Sequence, residues 1–194
     1  MVSALTGTDN IQDAYLESQI FPYSTSPRGR CLTFWYYMTG TNAGTLSFYV
    51  VGANNPDNII VWSTGGADLG EQWNYGAFGF YYEKPYKINI VGKNMGSNGV
   101  IAIDDILFQE SKYCGVNPPS AMAGTGLPLP STPLLTTKNP ITPLPSVYDC
   151  NFEKDLCTWK NDLSRPLKWT RNRGSTSSFE TGPTIDHTYD NSNL

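Results

Sequence analysis

Seven side chains invite a chemical reading: Cys31, Cys114, Cys150 and Cys157, the adjacent pair Asp104-Asp105, and His187, the chain's one histidine. The cysteines fall into two pairs of very different spacing, and neither has the short, repeated intervals of a zinc site. Disulfides are the better reading, pairing Cys31 with Cys114 and Cys150 with Cys157, so that each half of the chain closes its own loop. In the loop-entropy picture the long loop contributes roughly 4 to 5 kcal/mol and the short one roughly 2 to 3, less any strain. The lesser alternative is four free buried thiols in a cytosolic protein. His187 sits in Thr181-Gly-Pro-Thr-Ile-Asp-His-Thr188 with no activated serine or cysteine beside it, and no His-Glu-x-x-His run exists. A turn-holding histidine near Asp186 is expected, and neither nucleophilic nor zinc-protease chemistry is. For Asp104 and Asp105 two readings stand: oxygen ligands for a hard cation such as calcium, or carboxylates accepting hydrogen bonds from loop amides.

The elements that must position these residues are strands. Between residues 31 and 108, short runs rich in aromatic and β-branched residues alternate with turn clusters, the pattern of a sandwich or barrel of antiparallel strands. Strands are predicted over 31–38, 45–51, 58–62, 77–82, 86–91 and 99–108, with helix minor. In Tyr86-Lys-Ile-Asn-Ile90 polar and apolar residues swap at every position, which places Ile88 and Ile90 in the core. Ile101 to Phe108 is almost continuously apolar, as a central strand requires, apart from the two aspartates. Of Trp35, Trp62, Trp73, Trp159 and Trp169, most are expected to be core packing rather than a sugar-stacking platform.

Composition agrees with this class. Of 194 residues, 39% are hydrophobic and 13% aromatic, enough for a packed core, and only 15% are charged. A net charge of −4 gives no field that would draw in nucleic acid or an anionic membrane surface. The chain has no run of about 18 apolar residues and no basic-then-apolar leader. It therefore reads as a fragment whose targeting signal lies outside it. Asn-x-Ser/Thr sequons are absent.

After Cys114 the character changes. Residues 115–147 hold eight of the fourteen prolines and one charged residue, Lys138. Such a stretch favours polyproline II and reads as a semi-rigid linker reaching up to about 100 Å, with Thr and Ser placed as in O-glycosylated stalks.

These motifs resemble the MAM domain family, named for meprin, A5/neuropilin and receptor tyrosine phosphatase mu. Residues 14–114 look like the latter part of one copy, with Ala14-Tyr-Leu-Glu-Ser18, Cys31-Leu-Thr-Phe-Trp-Tyr-Tyr-Met-Thr-Gly40, Trp62-Ser-Thr-Gly65, Trp73 and Ile101-Ala-Ile-Asp-Asp-Ile106 before Cys114. Residues 150–188 look like the opening of the next, with Cys150-Asn-Phe-Glu153, Leu156-Cys-Thr-Trp159, Trp169 and Gly182-Pro-Thr-Ile-Asp-His-Thr188. The organisation expected is 1–114 as the C-terminal part of a first domain, 115–147 as linker, and 148–194 as the N-terminal part of a second.

The resemblance implies an all-β, jelly-roll sandwich and a non-catalytic interaction or adhesion module of a multidomain surface or secreted protein. Extracellular or cell-surface location and disulfide bonds go with it. The implied partners are other extracellular proteins or homophilic contacts, with membrane association only through regions outside the chain. An alternative is the regulatory or assembly arm of an extracellular enzyme such as a meprin-like metalloprotease. The resemblance also implies a calcium site at the sandwich edge, matched by Asp104 and Asp105 in the first copy and by Glu153 in the second, so that neither copy completes it within this chain. Because the first copy lacks its opening strands, the 194-residue chain is expected to expose a sheet edge and to tend to aggregate.

Overall fold

The computed structural model describes residues 1–4, 12–24, 29–40, 43–54, 58–65, 68–94, 99–110, 114–121, 147–172 and 183–188. Most of the proline-rich stretch lies outside the described residues. Those described form ten strands and no helix: β1 (Val2–Ala4), β2 (Gln12–Glu17), β3 (Arg30–Thr39), β4 (Thr45–Gly52), β5 (Asn58–Gly65), β6 (Asn74–Phe80), β7 (Tyr86–Asn94), β8 (Val100–Glu110), β9 (Lys160–Asn161) and β10 (Trp169–Arg171). All six strands predicted from residues 31–108 are present, some shifted at their ends. The short strands β1, β2, β9 and β10 carry too little alternation to be seen in sequence.

The strands build two antiparallel five-stranded sheets, ordered β10-β1-β8-β3-β6 and β5-β4-β7-β2-β9. Apolar faces of the two meet in one core. Phe34 from β3 packs on Phe48 from β4 at 4.3 Å between ring centroids, and edge-on against Trp62 from β5 at 5.0 Å. Ile88 and Ile90 are fully buried, as their alternation demands. β8 lies centrally between β1 and β3, matching its nearly continuous apolar run. One glycine is required by this packing: a Cβ at Gly76 would stand 2.4 Å from the Phe34 ring, so the bare backbone of β6 is what lets that ring lie beneath it.

The buried cation Arg30 fixes one end of the sandwich. It donates to the carbonyls of Pro22 at 3.0 Å and Tyr23 at 3.3 Å, and lies over the rings of Tyr86 and Phe108 at 5.4 Å each. Carbonyl acceptors and aromatic faces offset the cost of removing a guanidinium from water.

The stretch after the prolines shares this core. Cys150 bridges Ile106 of β8, β10 pairs with β1 (Ala4 opposite Trp169), and β9 pairs with β2 (Glu17 opposite Lys160). Phe152, Trp159 and Trp169 are all buried within the same cluster that holds Phe34, Ile90 and Phe108. The Trp169 indole donates to the Ala14 carbonyl at 3.1 Å, satisfying its polar atom inside the core. Because β9 joins one sheet and β10 the other, residues 162–168 cross from sheet to sheet and close one edge of the sandwich. The sheet edge expected to be exposed in this chain for want of opening strands is instead covered by residues 150–171, which corrects that expectation.

Candidate functional site

Cys31 and Cys114 are joined by a disulfide with their Cα atoms 5.5 Å apart, and Cys150 and Cys157 by another at 5.9 Å. Both separations lie in the ordinary range for unforced disulfides. Each closes within its own stretch of chain, and none connects residues 1–121 to residues 147–188.

Asp104 and Asp105 sit at a bulge in β8 that turns both carboxylates toward the outer face and the returning segment 183–188. Against β3, Thr33 pairs with Leu107 and Trp35 with Asp104, so β8 carries one extra residue there. Asp105 takes the left-handed conformation at φ 46°, a place where aspartate is among the better-tolerated residues. Asp104 is fully buried, while Asp105 is partly exposed on the outer face.

Around Asp104 the field is negative. The amino group of Met1 lies 3.5 Å from Asp104 Oδ1 and 3.3 Å from Asp186 Oδ2, so the two carboxylates converge on one positive charge. Asp104 Oδ1 also accepts from the Asp105 backbone N–H at 2.9 Å, and its Oδ2 is buried without a hydrogen-bond partner among the described residues. Burial pushes the Asp104 carboxyl up to about 7; Asp105 and Asp186 push the same way, against the Met1 amino group. Asp186 is the member of this cluster that sequence reasoning did not assign to it. Only its place before His187 in a polar turn hinted at a role.

Asp105 holds the returning segment 183–188 on the outer face of the first sheet. Its Oδ2 lies 2.8 Å from His187 Nδ1 and accepts from the Thr188 hydroxyl at 3.0 Å. The His187 ring stacks on Trp35 at 4.0 Å, and the Trp73 indole donates to the Ile185 carbonyl at 3.0 Å. Asp186 Oδ1 accepts from the Thr188 backbone N–H at 2.9 Å, closing a local turn. His187 is therefore a structural clamp, and Trp35 and Trp73 serve it from outside the core, whereas Trp62, Trp159 and Trp169 are core residues. Beside the clamp lies an open recess of about 470 Å³, lined by Tyr37, Glu71, Trp73 and residues 183–187.

Glu153 has other contacts. Its carbonyl accepts from Arg171 at 3.2 Å, and its backbone N–H donates to the Asn151 side chain at 3.3 Å. Among the described residues, no three carboxylate, histidine or cysteine side chains gather into a metal-ligand set.

Residues 1–115 match the MAM domain family, meprin/A5/mu, across β1 to β8 and both cysteines of the long loop. The chain belongs to the MAM family. Human MAM domain-containing protein 2 is 27% identical to it over 162 residues, covering 81% of this chain and 20% of that protein. Thyroid hormone-induced protein B of Xenopus laevis is 26% identical over the same length, with the same coverage. Neuropilin-1 of Xenopus laevis is 36% identical over 88 residues, covering 44% of this chain and 9% of that protein. The chain thus spans a fifth or less of the length of these relatives. As a MAM sandwich it presents two antiparallel sheets, two disulfides and, on one outer face, the Trp35–His187 clamp.

Proposed function

We propose that this MAM chain is a non-catalytic interaction module of an extracellular or cell-surface protein, binding other extracellular proteins or further copies of itself. The observation that carries the reading is the pair of disulfides in a sandwich whose functional-looking side chains are engaged in structure: His187 is held between Asp105 and Trp35 instead of facing a nucleophile. Disulfides persist in oxidising compartments, which supports an extracellular setting. Beads carrying the folded chain test this by homotypic clustering and by capture of secreted or cell-surface proteins. Clustering or saturable capture supports the module. Neither, together with a flanking His-Glu-x-x-His domain in the same transcript, favours the regulatory arm of an enzyme.

We read residues 148–194 as the opening of a second copy and residues 1–114 as the latter part of a first, joined through 115–147. The support is the order of motifs: Cys-x-Phe-Glu and Cys-x-Trp come after the Asp-Asp ending, and the later stretch fills the space an opening would occupy.

We propose a calcium ion held through Asp104 and Asp105, with Glu153 as a further oxygen ligand. The support is the buried Oδ2 of Asp104, which has no hydrogen-bond partner among the described residues. Calcium binding would raise the unfolding temperature with ligand concentration. An unchanged melting curve in millimolar calcium against chelator would remove this part of the reading.

A further inference from the structure

The segment that completes the sandwich is attached to it by no covalent bond except the connecting chain. The Cys31–Cys114 disulfide lies wholly on one side of that connection and Cys150–Cys157 wholly on the other. Contacts alone hold the segment: Phe152, Trp159 and Trp169 in the core, three register pairs between β10 and β1, and two between β9 and β2.

The connection is also far longer than the gap it must span. Asn117 exchanges hydrogen bonds with Ala77 on the free edge of β6, and Cys150 does so with Ile106 on the side of β8 away from β3. Asn117, β6, β3, β8 and Cys150 thus follow one another across the sheet. Four interstrand spacings amount to about 19 Å. At full polyproline extension a stretch as long as residues 118–149 would reach roughly 100 Å. Length therefore does not force a segment back into its own sandwich.

From this we propose that residues 148–188 exchange between copies: the segment of one chain completes the sandwich of a second copy, reciprocally, in a two-fold dimer. The inference rests on the interaction-module reading above and names its partner as the same chain. Closed and exchanged forms make the same contacts and differ only in connection entropy, which is what makes exchange a low-cost route to a dimer. A flexible connection of this length would give the tethered segment an effective concentration on the order of 1 mM, and the semi-rigid, proline-rich one shifts that value with how well its span matches the gap. Exchange is then a minority form in dilute solution. It becomes comparable to the closed form near millimolar chain, a local density that clustering on a surface supplies.

Glu17 and Lys160 are opposed across β2 and β9 and reach solvent, so they report which copy a segment occupies. Full-length Glu17→Cys and Lys160→Cys chains of different mass are mixed near 1 mM and cycled through mild denaturant without reductant. They are then oxidised and separated under denaturing, non-reducing conditions. The expected product is a one-to-one heterodimer joined by a disulfide between the two introduced thiols, at least tenfold above a control pairing Glu17→Cys with Leu163→Cys. Its yield should fall about tenfold when mixing is done at 0.1 mM. A heterodimer yield equal to the control, while a Glu17→Cys/Lys160→Cys double variant closes fully within monomers, would overturn the proposal. Native mass of the unmodified chain gives a second reading: a dimer fraction rising between 10 µM and 1 mM supports exchange, and monomer alone at every concentration rejects it. Homotypic bead clustering that survives without exchange leaves the interaction-module reading standing and removes only this one.

Discussion

Ile106 and Cys150, on opposite sides of the proline-rich stretch, exchange both of their backbone hydrogen bonds, at 2.8 and 2.9 Å. Each N–H finds the other's carbonyl, so the edge of β8 is satisfied by residues that arrive from far along the chain. Cutting the chain between residues 122 and 146 with a protease should leave the two pieces associated. In native gel filtration they should co-elute at the mass of the intact chain, and in denaturant without reductant they should separate, because no disulfide links them. Separation under native conditions would show that the contacts of residues 148–188 are too weak to complete the sandwich.

Trp169 is the test of that completion. It is buried, its indole is hydrogen-bonded to Ala14, and it anchors β10 beside β1. Trp169→Ala should cost about 3 to 5 kcal/mol in denaturant unfolding, and Phe152→Ala a similar amount. Lys160→Ala, at an exposed position in the short strand β9, should change stability by less than about 0.5 kcal/mol. Equal small losses at all three would mean that the segment does not share the core.

Asp104 should make stability fall as pH rises. Its carboxyl is held near 7 in the folded state, above the ordinary aspartate value, so the folded chain retains a proton that the unfolded chain releases. Between about pH 4 and pH 7 this group alone opposes folding by an amount growing to roughly 2 to 4 kcal/mol, and the loss levels off above. In chelator, Asp104→Asn should remove this component. Unfolding free energies of both proteins across pH 4–8 should diverge upward with pH, with the variant more stable at pH 8. Parallel curves would contradict the assignment.

Gly76 and Phe34 should be energetically coupled. A methyl group at Gly76 meets the Phe34 ring at 2.4 to 2.9 Å, well inside contact distance. Gly76→Ala should therefore destabilise by about 1 to 3 kcal/mol through overpacking. Combining it with Phe34→Leu should cost less than the sum of the two single changes, a coupling readable from a double-mutant cycle. Strict additivity would place the ring elsewhere.

Much of this protein was legible as sequence because its determinants are local. Period-two alternation in 86–90 put Ile88 and Ile90 inside, turn clusters bounded the strands of 31–108, and the aromatic, weakly charged composition set the all-β class. The family motifs around Cys31, Asp104 and Cys150 were equally local. What tertiary structure decided is where distant pieces meet. No pattern within 150–171 says that Trp169 will lie beside Ala14, since a two- or three-residue edge strand gains its stability from the partner it finds and not from its own periodicity. Nor does the adjacency of Asp104 and Asp105 reveal that a bulge in β8 sets both carboxylates against the segment 183–188, one buried beside Asp186 and the other bonded to His187. Those outcomes depend on register and on sheet closure, which are set by long-range burial after the chain has folded back on itself.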